Sequence, residues 1–239
     1  LHSSSDGAAE ESCVHMVERV ETAVDYVLER AGDASKEIVG VGVDTFASTL
    51  IGVDKQGQPL TPIYTYADTR SRDYANDLQE NLDAQSVYQR TGCPQHTAYL
   101  PSRIRWLQNT CPEIVKLVYR WLDVSTFLYW RWFEKKDIPT SYSTASWTGL
   151  LNRNRMCWDE ELLHYLSISA DRLSPLAEYS HFQMGLAEPF ATRWPALSRT
   201  PFTLGVGDGV ASNVGSGCVA PNRVALSVGT TGAMRVLLP

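Results

Sequence analysis

Apolar positions recur along this chain with two periods. Over residues 15–30, Met16, Val20, Ala23, Val24, Val27 and Leu28 follow helical spacing, and Gly32 stops the run. The polar residues 1–12 before it read as a loop. Residues 37–43 form a short apolar run that reads as a strand ending at Asp44. Residues 48–53 read as a second strand, followed by a turn at Asp54-Lys55-Gln56-Gly57. Residues 62–66 read as a third, running into Ala67-Asp68-Thr69-Arg70. Helical spacing returns over 71–82, and the Pro- and Gly-containing stretch 86–101 reads as a loop that displays its side chains. Pro101 suits the start of a helix over 102–108, Pro112 opens a short one, and Asp123 is placed to cap 124–133. Residues 140–152 are rich in Ser and Thr and read as loop or short strands, and 159–166 as a short helix. Residues 170–201, with Pro175, Pro189, Pro195 and Pro201, are expected to be mostly loop. Near the end, 223–228 and 234–238 are strand-like runs around Gly229-Thr230-Thr231-Gly232, the pattern of a hairpin. Strands that alternate with helices predict an α/β fold with a mixed sheet whose central strands end in glycine turns.

Composition narrows the class of protein. Of the 239 residues, 44% are hydrophobic and 20% charged, which is ordinary for a globular chain of one large or two small domains. A net charge of −6 argues against nucleic acid or an anionic membrane surface as the main partner. The five cysteines are scattered with no CxxC, and read as reduced thiols of an intracellular, cytoplasmic protein. The five histidines show no metal-ligand spacing, so no metal-binding residue is assigned. There is no signal peptide and no long uncharged apolar run. Both ends read as cut: the first residue is Leu, and the strand pattern at 234–238 has nothing after it to pair with.

Chemistry concentrates in residues 202–238. Gly205, Gly207 and Gly209 flank Asp208, which puts a carboxylate where the backbone turns sharply and a substrate can come close. About twenty residues on, the Gly229–Gly232 turn places small residues and hydroxyls at a strand end, where N–H groups can cradle phosphate. An acid that takes a proton and a nest that holds phosphate are parts of a phosphoryl-transfer site. Each has an ordinary counterpart: Asp208 as a cap for a helix starting at Gly209 or Val210, and the Gly-Thr-Thr-Gly run as a plain hairpin turn. A dinucleotide fingerprint fails at Val210, and no Walker A motif occurs. Asp44, Asp68 and Arg70 lie at strand ends, where α/β sheets bind ligands, with a salt bridge or helix cap as the alternative. The aromatic set Trp121, Phe127, Tyr129, Trp130, Trp132 and Phe133 reads as a packed helix. His96 and Tyr99 sit on the 86–101 loop.

Six stretches in register over nearly the whole chain resemble the FGGY family of carbohydrate kinases, and among them the gluconokinase-like members. They are Thr45-Phe46-Ala47-Ser48-Thr49-Leu50-Ile51-Gly52-Val53-Asp54, Tyr66-Ala67-Asp68-Thr69-Arg70-Ser71, Thr91-Gly92-Cys93-Pro94 with His96 and Tyr99-Leu100-Pro101, Ala145-Ser146-Trp147-Thr148-Gly149-Leu150-Leu151, Gly205-Val206-Gly207-Asp208-Gly209 and Val228-Gly229-Thr230-Thr231-Gly232-Ala233. The resemblance implies an actin-like ATPase fold of two ribonuclease H-like domains, with sugar bound mainly to the first and ATP mainly to the second. It implies that residues 1–239 are the sugar-binding first domain, with 221–239 leading towards the ATP-binding one. Asp208 then matches the general base that takes the proton of the attacking sugar hydroxyl. Gly229, Thr230, Thr231 and Gly232 match a phosphate loop. Phe46, Ser48, Asp68, Arg70, Tyr99 and Gly209 fall where the family lines its sugar pocket. The implied partners are a small sugar or sugar acid such as gluconate or a pentulose, and ATP with Mg2+, with a homodimer as an assembly open to such a chain. The family's Asp-x-Gly-Thr opening loop is not found, and Asp44, followed by Thr-Phe, is not assigned to it. The 239-residue chain by itself is therefore expected to show little or no kinase activity. Two other classes are a non-catalytic sugar-binding or regulatory module, and another actin-like group such as a chaperone ATPase or acetate-type kinase. The Tyr-Ala-Asp-Thr-Arg stretch and the Gly-Asp-Gly context speak against the second.

Overall fold

The computed structural model describes residues 2–178, 180–228 and 232–238. It is mixed α/β, as the alternating pattern predicts, with short strands and helices up to nineteen residues long. The helix Cys13–Ala31 begins two residues before the periodic run, because Ser12 caps it by accepting from the His15 N–H at 3.3 Å. Cys13, Val17 and Glu21 repeat every four residues on its buried face.

The apolar run 37–43 differs from the expected regular strand. Its first residue ends a 3-10 helix, Gly32–Glu37, and pairing comes only in pieces: a parallel bridge from Val41 to Phe202, then the strand Asp44–Thr45 beside Val206–Gly207. Hydrogen bonds from Val41 N to Pro201 O (2.9 Å) and from Val206 N to Val43 O (3.0 Å) hold this parallel seam. The second expected strand is shorter than 48–53. It covers Ile51–Val53, antiparallel to Arg120–Leu122, because Ser48 has a left-handed φ of 57° that breaks the extended run. Ile63–Tyr64 pairs with Ala9–Glu11, so the polar start is not a loop: it supplies the strands His2–Ser3 and Ala9–Glu11 of a three-stranded sheet.

Two more segments expected as loop carry helices. Within 86–101, most of the helix Ala84–Thr91 is present; Asp83 caps it by accepting from the Gln85 and Ser86 N–H groups, and Gly92 ends it at φ 74°. Within 170–201, a helix runs over Glu188–Arg193, with Pro189 in its first turn. The helix Leu100–Thr110 starts earlier than 102, with Pro101 inside its first turn.

Two apolar clusters hold these elements. One surrounds the helix Val124–Phe133, whose Asp123 cap accepts from Thr126 N at 3.0 Å and whose residues other than Arg131 are all buried. Its rings stack edge to face, with Phe133 and Tyr129 on Phe202 at 5.3 and 6.1 Å and Trp132 on Trp194 at 5.4 Å. The aromatic run is therefore core. The second cluster packs Leu100, Ile104 and Leu107 against Leu150, Leu162 and Leu166. Strands Val224–Val228 and Gly232–Val236 form the expected antiparallel hairpin. No helix among the described residues is long and apolar enough to cross a membrane.

Candidate functional site

The parallel strands Asp44–Thr45 and Val206–Gly207 run side by side and end together. The next residue on one is Phe46; on the other it is Asp208, the first residue of the helix Asp208–Gly215. That helix has Gly207 at its cap position with no side-chain cap, so Asp208 occupies its first turn, one residue past the position a capping role would require. Asp208 is exposed, and its Oδ1 accepts from the adjacent Gly209 N–H at 2.8 Å.

The glycines here serve close packing. A Cβ at Gly205 would lie 2.6 Å from Ser125 Cβ, and one at Gly207 would lie 3.2 Å from Trp147 Nε1. Gly205 also offers its carbonyl to the Ser141 and Thr144 hydroxyls, and Gly207 N donates to Ser143 Oγ at 3.2 Å. The Asp208 turn is thus fastened to the helix Tyr142–Ser146. Asp44, exposed at the neighbouring strand end, has its carboxyl pKa raised, first by partial burial and then by the charge of Asp208.

Trp147 joins this turn to Ser48. The Ser48 hydroxyl donates to the Trp147 carbonyl, while the Trp147 ring walls Gly207 and Gly209. Ser48 is buried, and its own carbonyl accepts from Arg103 Nη1. Arg103 is 1% exposed and also donates to Thr97 O (2.9 Å) and Ala98 O (2.7 Å). Burial lowers its pKa to about 10, and the charge of Asp68 works in the opposite direction.

Asp68 and Arg70 form a separate, closed corner. Asp68 is 1% exposed and accepts from Ala9 N, Arg70 N and the Arg70 guanidinium, whose Nη2 stands 2.6 Å away. The same Nη2 meets Glu10 at 2.6 Å, and the guanidinium lies 4.7 Å over the Trp106 ring. Burial works against the charge of Arg70, but the hydrogen bonds it donates to Asp68 and Glu10 outweigh it and hold the pKa above the ordinary arginine value. The salt bridge weighed as the alternative for this pair is present.

Tyr99 is half-buried at the head of the helix Leu100–Thr110, its ring against Gly149. Burial, followed by the nearby Cys93 thiol, pushes its phenol up to about 12. Ser102 ties it in by donating to Tyr99 O at 3.2 Å and meeting Ser71 Oγ at 3.2 Å. Phe46, 38% exposed, lines an apolar cleft of about 300 Å³ with Met16, Val43 and Trp132. Of the phosphate-loop residues, Gly229, Thr230 and Thr231 lie outside the described residues, and Gly232 opens the exposed strand Gly232–Val236. Among the described residues no group of three or more His, Cys, Asp or Glu is placed to hold a metal ion.

The fold thus brings Asp208, Gly209 and Ser48 together through Trp147, while Asp68 stays in its own corner with its charge felt at Arg103, and Tyr99 is held by Ser102 and packs on Gly149. Trp147, Arg103 and Glu10 were not among the expected site residues. Trp147 lies in a family-like stretch that could have flagged it; nothing local to Arg103 or Glu10 announces their partners.

Comparison with known proteins gives the family and the fold. The FGGY family of carbohydrate kinases, N-terminal domain, matches residues 1–215. Gluconokinase of Bacillus subtilis is 32% identical over 203 residues, 85% of this chain and 39% of its own length. Glycerol kinase of Trichormus variabilis is 30% identical over 81% of this chain and 38% of its own. Among solved structures, gluconate kinase from Lactobacillus acidophilus superposes with a TM-score of 0.87 at 26% identity, over 99% of this chain and 47% of that one. Xylulose kinase from Rhodospirillum rubrum, 18% identical, shares the fold with a TM-score of 0.91 over 99% of this chain and 49% of that one. The chain spans about two-fifths of the length of the curated relatives it matches.

Proposed function

The chain belongs to the FGGY family of carbohydrate kinases, and from that membership we propose that the whole protein transfers a phosphoryl group from ATP to a primary hydroxyl of a small sugar or sugar acid, gluconate or a pentulose. Residues 1–239 serve as its sugar-binding domain, and 221–239 lead towards the ATP-binding one.

The observation that carries the proposal is the state of Asp208. Its carboxylate is exposed, fixed by helix start and glycine packing, and bonded within the described residues only to its neighbour's N–H. It is free to accept the proton of a sugar hydroxyl. As that oxygen attacks, a bond forms to the γ-phosphorus and the bond from phosphorus to the ADP oxygen breaks; ADP leaves with the electron pair, and Asp208 later returns the proton to water. Most of the barrier lowering comes from positioning and charge stabilisation.

Ser48, Tyr99, Arg70 and Gly209 line the sugar side, with Phe46 as its apolar edge. Arg70 Nη1 makes no hydrogen bond among the described residues and is available to a polyol. Asp68, already filled with N–H partners, orients Arg70. Gly229 to Gly232 hold phosphate. Mg2+ would come with the ATP and neutralise phosphate charge, and with Asp208 kept as the base, Asp44 beside it would offer the carboxylate to help hold the ion. The compartment is the cytoplasm, in keeping with five free cysteines, and the assembly is a homodimer, which light scattering would check. Neither nucleic acid nor a membrane is a partner.

The test is turnover of full-length protein with ATP on gluconate, xylulose, ribulose and glycerol, beside D208N. ADP formation that depends on one of these acceptors and is lost in D208N is expected. Sugar binding without turnover would instead make the protein a non-catalytic sugar-binding module.

A further inference from the structure

Arg235 differs from Arg70 and Arg90, two other half-buried arginines. Arg70 is held by Asp68 and Glu10, and Arg90 by Asp159 and Glu161. Arg235, also half-buried, has no carboxylate within ion-pair distance among the described residues; its one hydrogen bond there is a long one, Nη1 to Ser227 Oγ at 3.4 Å. It projects from the strand Gly232–Val236, opposite the small buried Ala225. Its neighbours Met234 and Val236 are exposed, as the alternation of a strand requires.

The guanidinium reaches the Asp208 turn. Arg235 Nε lies 3.0 Å, and Cζ 3.5 Å, from where a Cβ on Gly209 would stand, and the Trp147 ring lies 3.5 Å from the same point. A side chain at 209 would crowd this approach and make the guanidinium give way. The cation therefore packs on the residue next to the base without pairing with it: no ion pair joins Asp208 to Arg235. A planar fork of N–H groups with a single weak bond, at a helix start, is suited to an oxyanion.

We propose that Arg235 binds an oxyanion of the reacting pair beside Asp208, either the transferring phosphoryl group or the carboxylate of an acid substrate. The proposal rests on the kinase function above. The two sources share one chemistry and differ in what they do to the kinetics.

The experiment compares wild-type full-length protein with R235A and R235K, using ATP with D-gluconate and with the neutral D-xylulose, and records the melting temperature of each. If the oxyanion is the phosphoryl group, R235A lowers kcat about 100-fold with both acceptors, and R235K recovers only part of it because it lacks the fork. If it is the substrate carboxylate, KM for gluconate rises about tenfold or more while xylulose is untouched. Values within about twofold of wild type on both acceptors, with the melting temperature unchanged, overturn the proposal. Should R235A fail to fold, R235K carries the same comparison. Wild-type protein that turns over neither of these acceptors, nor ribulose, nor glycerol, defeats the kinase function; Arg235 is then judged by calorimetric binding of sodium gluconate and of inorganic phosphate. Weaker binding of either by R235K supports its role, and no difference overturns it.

Discussion

Asp68 and Asp208 are both aspartates beside glycine- or threonine-rich turns, and the fold treats them in opposite ways. Asp68 is 1% exposed and surrounded by the backbone N–H groups of Ala9 and Arg70 and by the Arg70 guanidinium. Asp208 is exposed, with one adjacent N–H. A carboxylate that has spent its lone pairs on the protein can orient a neighbour but has little left for a substrate. One that keeps them in the open can take a proton. The difference between the two corners lies in their partners, and those partners come from distant parts of the chain.

The contrast is broken most severely by removing the open carboxylate. In full-length protein, D208N is expected to lower kcat by about 10²–10⁴-fold while leaving the denaturation midpoint close to wild type. A midpoint that falls as far as the rate would mean that Asp208 is structural. The closed corner should respond the other way round. D68A leaves Arg70 with Glu10 alone and is expected to cost about 3 kcal/mol, the lower end for breaking a buried pair, read from urea unfolding. A loss below about 1 kcal/mol would show the corner to be no tighter than a surface ion pair.

The support beneath Asp208 can be tested without touching its charge. G205A pushes a methyl group into Ser125 and is expected to cost about 1–3 kcal/mol by the same unfolding measurement. No loss would mean that the turn is looser than its contacts imply.

The smallest effect concerns the carboxylate next door. Asp44 has a pKa raised in the folded protein, by burial and by Asp208. A raised carboxylate contributes stability below its unfolded pKa and loses it as pH rises through the folded value. D44N, which cannot ionise, should therefore melt slightly higher than wild type at neutral pH, and the gain should vanish as the pH falls below the usual carboxylate range. A gain that persists in acid would assign the effect to packing instead.

Local signals were read correctly where they were dense. Asp123 before an aromatic helix, Gly32 after a periodic one and the two strand-like runs around the Gly-Thr-Thr-Gly turn each state their element. The helix Ala84–Thr91 was legible too, from Asp83 and Gly92, but the prolines after it outweighed those caps. The strand Ala9–Glu11 was not legible: a polar tripeptide becomes a strand because Ile63–Tyr64 pairs with it and Arg70 engages Glu10. At the site, the sequence marks Asp208, Gly209 and Ser48, but not that Trp147 joins them or that Arg103 braces Ser48.

The sequence by itself determined the α/β class, the family and the short list of polar residues at strand ends, because those depend on spacing and on motifs a few residues long. Only the tertiary structure decided which of those residues are used up and which are left open. That choice rests on contacts such as Ala9 with Asp68, Ser48 with Trp147 and Arg235 with the Gly209 turn. They span tens of residues of chain, and hydrogen-bond capacity is allotted only when such segments meet in space.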